Sequence, residues 1–352
     1  MAKRERVVCF DLIRFFSCLC VTIVHFNATV SGWNEGGFLY PNSITPNLFL
    51  ENRLYLGDIG VSLFFILSGA TLMMTYKKGN VLLYYKKRIM NIFPMFWLAY
   101  ACATVIDFLW FKGMSGGDLR YWIFSFLGMD GYLSTFGIVP FSFYKLGEWF
   151  LGCIIFIYAI FPLLHMGIEK KPILTCLCAV AIYVLCIDGI QILDYSVCGK
   201  EFFMRIPEIL MGMLFVKYDL RNKPKLLLLI TGLITAVAVV FREQIGNFTL
   251  CIAVCAALFA VLAVVGNHIH NEYIKCFLEK ISNLTYPVFL VHHWLIDRMV
   301  IGFDLANMGK RNVAMMFVIF ITSSFFLAHL LSKYSGKLIA YTSKLVSKKE
   351  EN

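Results

Sequence analysis

The sequence predicts an all-α polytopic membrane protein with about ten transmembrane helices and both termini in the cytoplasm. Three observations predict this fold class: the composition, the spacing of the apolar runs and the distribution of basic residues. Of the 352 residues, 59% are hydrophobic and 15% are charged, and the mean hydropathy is +0.73. Soluble domains carry about 45–50% apolar and about 25% charged residues, so the composition excludes a soluble enzyme.

Ten apolar runs are long enough to be transmembrane spans, because a helix needs about 20 mainly apolar residues to cross a bilayer. The sixth and seventh runs are the shortest. An even number of spans places both termini on the same side of the membrane. The predicted limits are approximately 8–30, 57–76, 91–111, 149–167, 173–191, 203–217, 226–241, 248–265, 284–303 and 312–332.

The basic residues predict the orientation of these spans. With the N-terminus in the cytoplasm, about 21 of the 32 lysines and arginines lie inside and about 10 lie outside, as the positive-inside rule requires. The net charge of +10 follows from this orientation, so the expected partner is the lipid bilayer and not nucleic acid. We expect one transmembrane domain over residues 1–340, followed by a short basic cytoplasmic tail over 341–352.

The first predicted span carries an arginine and a histidine, Arg14 and His25, which are eleven residues apart. Such groups inside a span are costly and usually functional. The spacing puts the side chains about 20° apart in angle and about 16 Å apart along the axis. A histidine can accept a proton from a hydroxyl near neutral pH, and a guanidinium near the cytoplasm can bind phosphate or carboxylate. The alternatives are a histidine bonded to a neighbouring helix and an ion pair of Arg14 with Asp11.

Charged residues also stand at the ends of other predicted spans. The run Lys86, Lys87 and Arg88 enters the third span from the cytoplasm, where it can bind acidic lipid or a polyphosphate such as coenzyme A. At the outer ends, charged and aromatic groups fall at the predicted level of the histidine in the first span. They are Glu148, Trp149, Arg205 and Glu208. They are expected to act on a substrate, and the alternative is an interfacial salt bridge of Arg205 with Glu208 or with Glu148.

Two further patterns concern the second and ninth spans. Gly60 and Gly69 allow a close approach between helices. In the ninth span, Tyr286 is followed by the consecutive histidines His292 and His293, which point to different helix faces, so at most one of them is expected to enter a shared cavity. No metal site is expected, because the Cys-x-Cys pairs at 18/20 and 176/178 also point to different faces.

Taken in order, these blocks resemble the acyltransferase 3 family of integral membrane acyltransferases over approximately residues 8–330. The resemblance implies ten spans, an acyl-CoA donor drawn from the cytoplasm, and acyl transfer, usually of acetyl, to a hydroxyl of an extracytoplasmic glycan. It also implies essential roles for the first-span arginine and histidine. The residues that carry it are Arg14 and His25; Gly60 to Gly69; Arg88 and Pro94; Trp149-Phe150-Leu151, Tyr158 and Pro162; Arg205, Pro207, Glu208 and Gly212; and Tyr286-Pro287, Leu290 and His292.

The chain departs from the family pattern in three respects. Many members have a glutamate where this chain has Ile154, and the Trp-Phe-Leu form preceded by Glu148 resembles the surface-polysaccharide O-acyltransferase branch instead. Whether Glu148 supplies that carboxylate is open. Phe289 replaces a second tyrosine. We expect no counterpart of the esterase-like domain that is fused to some members, so any second transfer step is expected to be direct or to need an envelope-biosynthesis partner protein.

The leading hypothesis is therefore an O-acyltransferase of the plasma membrane that modifies a cell-envelope polysaccharide, with acyl-CoA as donor substrate and no permanently bound cofactor. The alternatives are a transporter or flippase of a lipid-linked saccharide, and acyl transfer to an amine. The expected catalytic residues are His25, Arg14 and Glu148. The expected acceptor-binding residues are Arg205, Glu208, Trp149, His292 and Tyr286, and the expected donor-binding residues are Arg14, Lys86, Lys87 and Arg88.

Overall fold

The computed structural model consists mainly of α-helices, with two short antiparallel ribbons. The ribbons pair β1 (Trp33–Asn34) with β2 (Gly37–Phe38) and β3 (Leu48–Phe49) with β4 (Leu54–Tyr55). The structure describes residues 6–350 except 35–36, 39–42, 45–47, 50–53, 77–79, 111–118, 141–145, 147 and 190–198.

The α-helices of the described residues follow one another through most of the chain. A π-helical turn, Leu185–Gly189, continues the seventh of them. In chain order they are α1 (Val8–Ser31), α2 (Leu56–Thr75), α3 (Val81–Trp110), α4 (Trp122–Phe126), α5 (Asp130–Thr135), α6 (Glu148–Lys170), α7 (Pro172–Val184), α8 (Ile206–Lys217), α9 (Pro224–Val240), α10 (Asn247–Asn267), α11 (Glu272–Met299) and α12 (Lys310–Glu350).

Within the described residues, six helices are long and apolar enough to cross a membrane. The prediction of an all-α membrane protein is thereby confirmed. Each of the ten predicted runs coincides with a helix, although α7 and α9 are shorter apolar helices and α8 has only 12 residues. The six are Val8–Ser31, Leu56–Thr75, Val81–Leu109, Trp149–Lys170, Asn247–Asn267 and Lys310–Ile339.

Several helices extend beyond the apolar runs that predicted them. Helix α3 begins about ten residues before the predicted third span, and α11 begins about twelve residues before the predicted ninth. The added turns are rich in Lys, Glu, Leu and Arg, which are good helix formers in water, so the helix continues where the hydrophobic signal stops. For the same reason α12 runs to Glu350, through most of the segment predicted as a tail.

The helices group into two compact units that alternate along the chain. The first unit holds the described residues within 1–76, 160–285 and 303–314. The second unit holds those within 77–159, 286–302 and 315–352. Two helices contribute to both, because α11 passes from the first unit into the second and α12 does the same.

Close backbone contact between α2 and α8 is central to the first unit. A Cβ atom placed on Gly69 would meet the backbone of Ile209, and one placed on Gly212 would meet the backbone of Ile66. Gly60 approaches α1 in the same way. These contacts confirm the prediction that glycines in the second span allow helices to pack at short range. The Gly60 contact also fixes α1, which carries Arg14 and His25, against α2.

In the second unit, tyrosine hydroxyls join α3 to other helices. Tyr84 donates to the carbonyl oxygen of Tyr158 at 3.1 Å, and Tyr85 donates to that of Ala159 at 2.7 Å. Tyr286 of α11 donates to the carbonyl oxygen of Ile92 at 3.1 Å. Each bond joins α3 to a neighbouring helix through a hydroxyl and a backbone carbonyl oxygen.

Candidate active site

Helix α1 holds the arginine and the histidine on one face, as their spacing predicts. It is a continuous α-helix from Val8 to Ser31, so Arg14 and His25 lie about three turns apart along it. The Arg14 side chain is 29% exposed and His25 is half-buried. The same helix therefore presents a cationic group near its start and an imidazole near its end.

Arg14 is held by two contacts within the first unit. Its Nη1 donates to Oγ of Ser282 in α11 at 2.7 Å and to Oδ1 of Asp11 at 3.3 Å. The ion pair with Asp11 that the sequence offered as an alternative is thus present. The serine contact adds a bond between helices, which orients the planar guanidinium at the start of α1.

Arg6, which the sequence indicated only as one of many inner basic residues, belongs to the same cluster. Its Nε and Nη2 donate to the two carboxylate oxygens of Asp11 at 2.6 and 2.9 Å. It also reaches α11, with Nη1 3.3 Å from Oε1 of Glu279 and Nη2 3.1 Å from Oδ1 of Asn283. The hydrogen bond with Asp11 raises the pKa of Arg6, so the group is a permanent cation.

An open cavity of about 240 Å³ lies beside this cluster. Its walls come from the start of α1, the last turns of α2 and the first half of α11. Complete ligand sites are commonly larger, about 300–1,000 Å³, so this volume suits one end of an extended ligand. The polar lining residues are Arg6, Asp11, Arg14, Thr71, Thr75 and Asn283.

At the other end of the first unit, Arg205 and Glu208 form a buried ion pair. Nη1 of Arg205 lies 3.1 Å from Oε1 of Glu208, and the side chains are 1% and 0% exposed. The guanidinium also donates to Oγ of Ser62 at 3.3 Å and lies 4.5 Å from the ring centroid of Phe248. The salt bridge offered as the alternative for these two residues is therefore present, and it is enclosed by α2, α8 and α10.

A further charged residue that the sequence did not single out, Asp58, acts on this pair and also on Lys200. Asp58 in the first turn of α2 interacts electrostatically with Arg205 and with Lys200, which precedes α8. Burial lowers the pKa of Lys200, and the Asp58 carboxylate opposes that shift. Asp58 lies far from Lys200 and Arg205 in sequence, so neither spacing nor periodicity indicates that it interacts with them.

In the second unit, the protonation of His292 follows from its hydrogen bonds. The residue is 1% exposed, and its Nδ1 lies 2.8 Å from the carbonyl oxygen of Phe289 and 3.2 Å from that of Val288. Carbonyl oxygens only accept, so Nδ1 carries a proton, and in the neutral imidazole Nε2 then carries the lone pair. His292 therefore presents Nε2 as a proton acceptor, and the adjacent His293 ring lies with its centroid 4.8 Å away.

A second cluster just beyond His292 also escaped the sequence analysis. Asp107 of α3 is 2% exposed and accepts hydrogen bonds from Trp294 and Arg298 of α11. Trp294 Nε1 lies 3.1 Å from Oδ1, and Arg298 contacts Oδ1 at 3.0 Å and Oδ2 at 2.6 Å. An aspartate inside an apolar run is the signal that was available for this cluster.

The basic run of α3 divides by environment. Lys86 and Lys87 are exposed, whereas Arg88 is half-buried with its guanidinium 5.6 Å from the ring centroids of both Tyr84 and Tyr158. The two lysines therefore present flexible charges at the start of α3, and the arginine is held by cation–π contacts.

The remaining predicted residues lie in the second unit. Glu148 begins α6, but its side chain is outside the described residues. Trp149 is half-buried against Phe150, with ring centroids 6.2 Å apart. The Tyr286 hydroxyl donates to α3, as described above. Ile154, which stands at the position of the family carboxylate, is a buried core residue at 4% exposure.

Comparison with known proteins gives one match. The family model for the acyltransferase domain of the acyltransferase 3 type covers residues 7–333. This range includes every residue of the clusters described above except Arg6, which immediately precedes it. No curated protein and no solved structure matches the chain.

Proposed function

Because the chain belongs to the acyltransferase 3 family, we propose that it moves an acyl group, most simply acetyl, from cytoplasmic acyl-CoA to a hydroxyl of an extracytoplasmic cell-envelope polysaccharide. That the protein is an acyltransferase and lies in a membrane follows from the family and the apolar helices. The observation that carries the proposal is α1, in which a guanidinium and an imidazole share one face about 16 Å apart along the axis.

The proposed topology has ten crossings, both termini in the cytoplasm and a plasma-membrane location. It is supported by the agreement of all ten apolar runs with helices and by the inward bias of basic residues. In this orientation the start of α1 faces the cytoplasm, where the donor is available. The end of α1, with His25, lies towards the side on which the acceptor is modified.

The proposed donor site uses arginine and lysine side chains near the cytoplasm. Arg14 is oriented by Ser282 and Asp11, and its planar fork suits the phosphate groups of coenzyme A. Lys86, Lys87 and Arg88 supply further positive charge at the start of α3. The pantetheine arm then extends along α1 towards His25.

In the proposed reaction His25 takes the proton of the acceptor hydroxyl as its oxygen attacks the thioester carbonyl carbon. The new carbon–oxygen bond forms, the carbon–sulfur bond breaks, and the proton passes from His25 to the coenzyme A sulfur. Acceptor binding is assigned to the groups indicated by the sequence. These groups are Trp149, Tyr286, His292 and Glu148, and the enclosed pair Arg205 and Glu208 acts by fixing the outer end of α8.

The family match favours an enzyme over the transporter or flippase that the sequence alone left open. Acyl transfer to an amine would use the same base and donor, and it differs in the bond that forms on the acceptor. An ester is labile to mild base and an amide is not, so the chemistry of the product separates the two.

The test compares cells that express the native chain with cells that express His25→Ala. We expect envelope glycan from the native strain to carry base-labile acyl esters in mass spectra, and glycan from the variant strain to lack them. His270→Ala, at an exposed histidine in the turn before α11, is the matched control and should acylate normally. Equal protein levels in the membrane exclude a folding effect. Retention of the esters in His25→Ala would show that the role given to His25 is wrong.

A further inference from the structure

The cavity beside the start of α1 places two guanidiniums around one carboxylate. Asp11 is 3% exposed and accepts three charge-assisted hydrogen bonds, two from Arg6 and one from Arg14. Both arginines and the aspartate line the cavity wall. The cavity wall therefore carries two guanidinium groups that are both hydrogen-bonded to the buried carboxylate of Asp11.

The geometry of this carboxylate matches the way that arginine binds a phosphate. A guanidinium fork donates two nearly parallel N–H bonds, and it binds carboxylate and phosphate oxygens in the same manner. Nε and Nη2 of Arg6 are the two fork donors, at 2.6 and 2.9 Å from the Asp11 oxygens. A phosphate in the cavity must therefore compete with Asp11 for these atoms.

A second carboxylate, that of Glu279, also neutralises part of the positive charge of the two arginines. Glu279 of α11 lies 3.3 Å from Nη1 of Arg6, and its side chain is 52% exposed. Arg6 and Arg14 are thus offset by Asp11 and Glu279, so these four groups have no net charge. A phosphate dianion carries more charge and more acceptor oxygens than either carboxylate, and this favours exchange for phosphate over exchange for a substrate carboxylate.

We propose that this cavity binds a phosphate group of the donor between Arg6 and Arg14, and that Asp11 is a built-in competitor for that phosphate. The identity of the carrier, acyl-CoA, rests on the proposed function; an anionic lipid headgroup offers the same phosphate chemistry. The competitor lowers affinity for the phosphate, which also speeds release of coenzyme A, since the product keeps the phosphates of the substrate.

The proposal predicts that removal of a charge that is hydrogen-bonded in the native protein strengthens the binding of coenzyme A. Asp11→Asn removes the competing charge and keeps an oxygen that accepts from Arg6, so the Kd for coenzyme A should fall about tenfold. Arg6→Gln removes one phosphate-binding fork, so the Kd should rise about tenfold. A purely structural Asp11 would instead make both variants bind more weakly.

The experiment measures binding of coenzyme A to the purified full chain in detergent by calorimetry. The Kd for pantetheine, which lacks phosphates, should be the same in the native protein and in both variants. Glu279→Gln removes the second, more exposed carboxylate that is paired with Arg6, and it should lower the Kd for coenzyme A about threefold. Glu272→Gln, which removes an exposed carboxylate paired with Lys275 in the same helix, is the matched control and should leave the Kd unchanged.

The outcomes separate this site from the rest of the proposed reaction. Weaker coenzyme A binding in both Asp11→Asn and Glu279→Gln, with both proteins folded, overturns the competitor role. If the variants change the Kd for short-chain phosphatidylglycerol and leave the Kd for coenzyme A unchanged, the assignment of the phosphate to the donor is overturned. If native protein binds coenzyme A with these responses but no glycan ester forms in cells, the acceptor is wrong and the phosphate site stands.

Discussion

Arg298 and Asp107 form a two-point ion pair between α11 and α3, with Nη2 2.6 Å from Oδ2 and Nε 3.0 Å from Oδ1. Trp294 adds a third bond to the same carboxylate. On the other side of His292, Tyr286 bonds the backbone of α3. The turn that carries His292 is therefore fixed to α3 before and after the histidine, and this fixes the direction of Nε2.

Asp107→Asn should lower acylation about tenfold and reduce thermal stability, because Arg298 loses its counter-charge and meets an amide N–H. Ester content of the glycan and the unfolding temperature in detergent measure the two effects. Asp304→Asn is the control, since this aspartate is exposed and bonds only locally to Asn307 among the contacts described. An Asp107→Asn protein with native activity and stability would show that this ion pair does not position the histidine turn.

The effect of replacing His292 on ester formation should depend on whether the new side chain can accept a hydrogen bond. Gln keeps an oxygen that accepts a hydrogen bond, whereas Leu keeps only the volume, so His292→Leu should lose about tenfold more ester formation than His292→Gln. Nitrogen-15 NMR of the labelled ring should find the proton on Nδ1 at neutral pH. A proton on Nε2 would contradict the hydrogen bonds from which the tautomer is derived.

Glu208→Gln should destabilise the first unit by about 3–5 kcal/mol, because the enclosed Arg205 guanidinium loses its counter-charge in a low-dielectric environment. Replacing both residues by Arg205→Met and Glu208→Leu should recover most of that loss, since no charge then remains buried. Thermal unfolding of both proteins measures the difference. If the double variant were no more stable than the single one, burial of the charge would not be the cause.

Arg14→Lys should raise the KM for acetyl-CoA about tenfold in a hydrolysis or transfer assay, because a lysine ammonium cannot donate the paired bonds of a guanidinium. The kcat should change less, since the proposed base is three turns away. Lys275→Arg, at a half-exposed position in α11, makes the opposite exchange as a control. An unchanged KM in Arg14→Lys would remove Arg14 from the donor site.

The parts of this site that the sequence predicts are the local ones. Arg14 with Asp11, and Arg205 with Glu208, are each three residues apart on a helix, so helical geometry alone allows them to pair. The limits of α1 and α2 follow from apolar runs in the same way. Spacing along one helix carries information about that helix and not about its neighbours.

The parts that the sequence missed depend on which helices are neighbours. Arg6 meets Glu279 across 273 residues, and Asp107 meets Arg298 across 191. Such pairs arise from packing of backbones at glycines and from the satisfaction of buried polar groups, neither of which has a period in the sequence. The early starts of α3 and α11 were missed for another reason. The apolar run marks only the part of a helix that suits the hydrocarbon layer, and the helix continues beyond it through polar residues.

The length of α12 has a consequence for what surrounds the membrane. Its 41 residues extend about 62 Å, whereas the hydrocarbon layer is about 30 Å thick. Even a tilt of about 40° leaves more helix than the layer can cover. Some turns must therefore lie among headgroups or in water as a rigid helix. A reporter fused beyond Glu350 would then be held away from the membrane by that helix and not by a flexible linker.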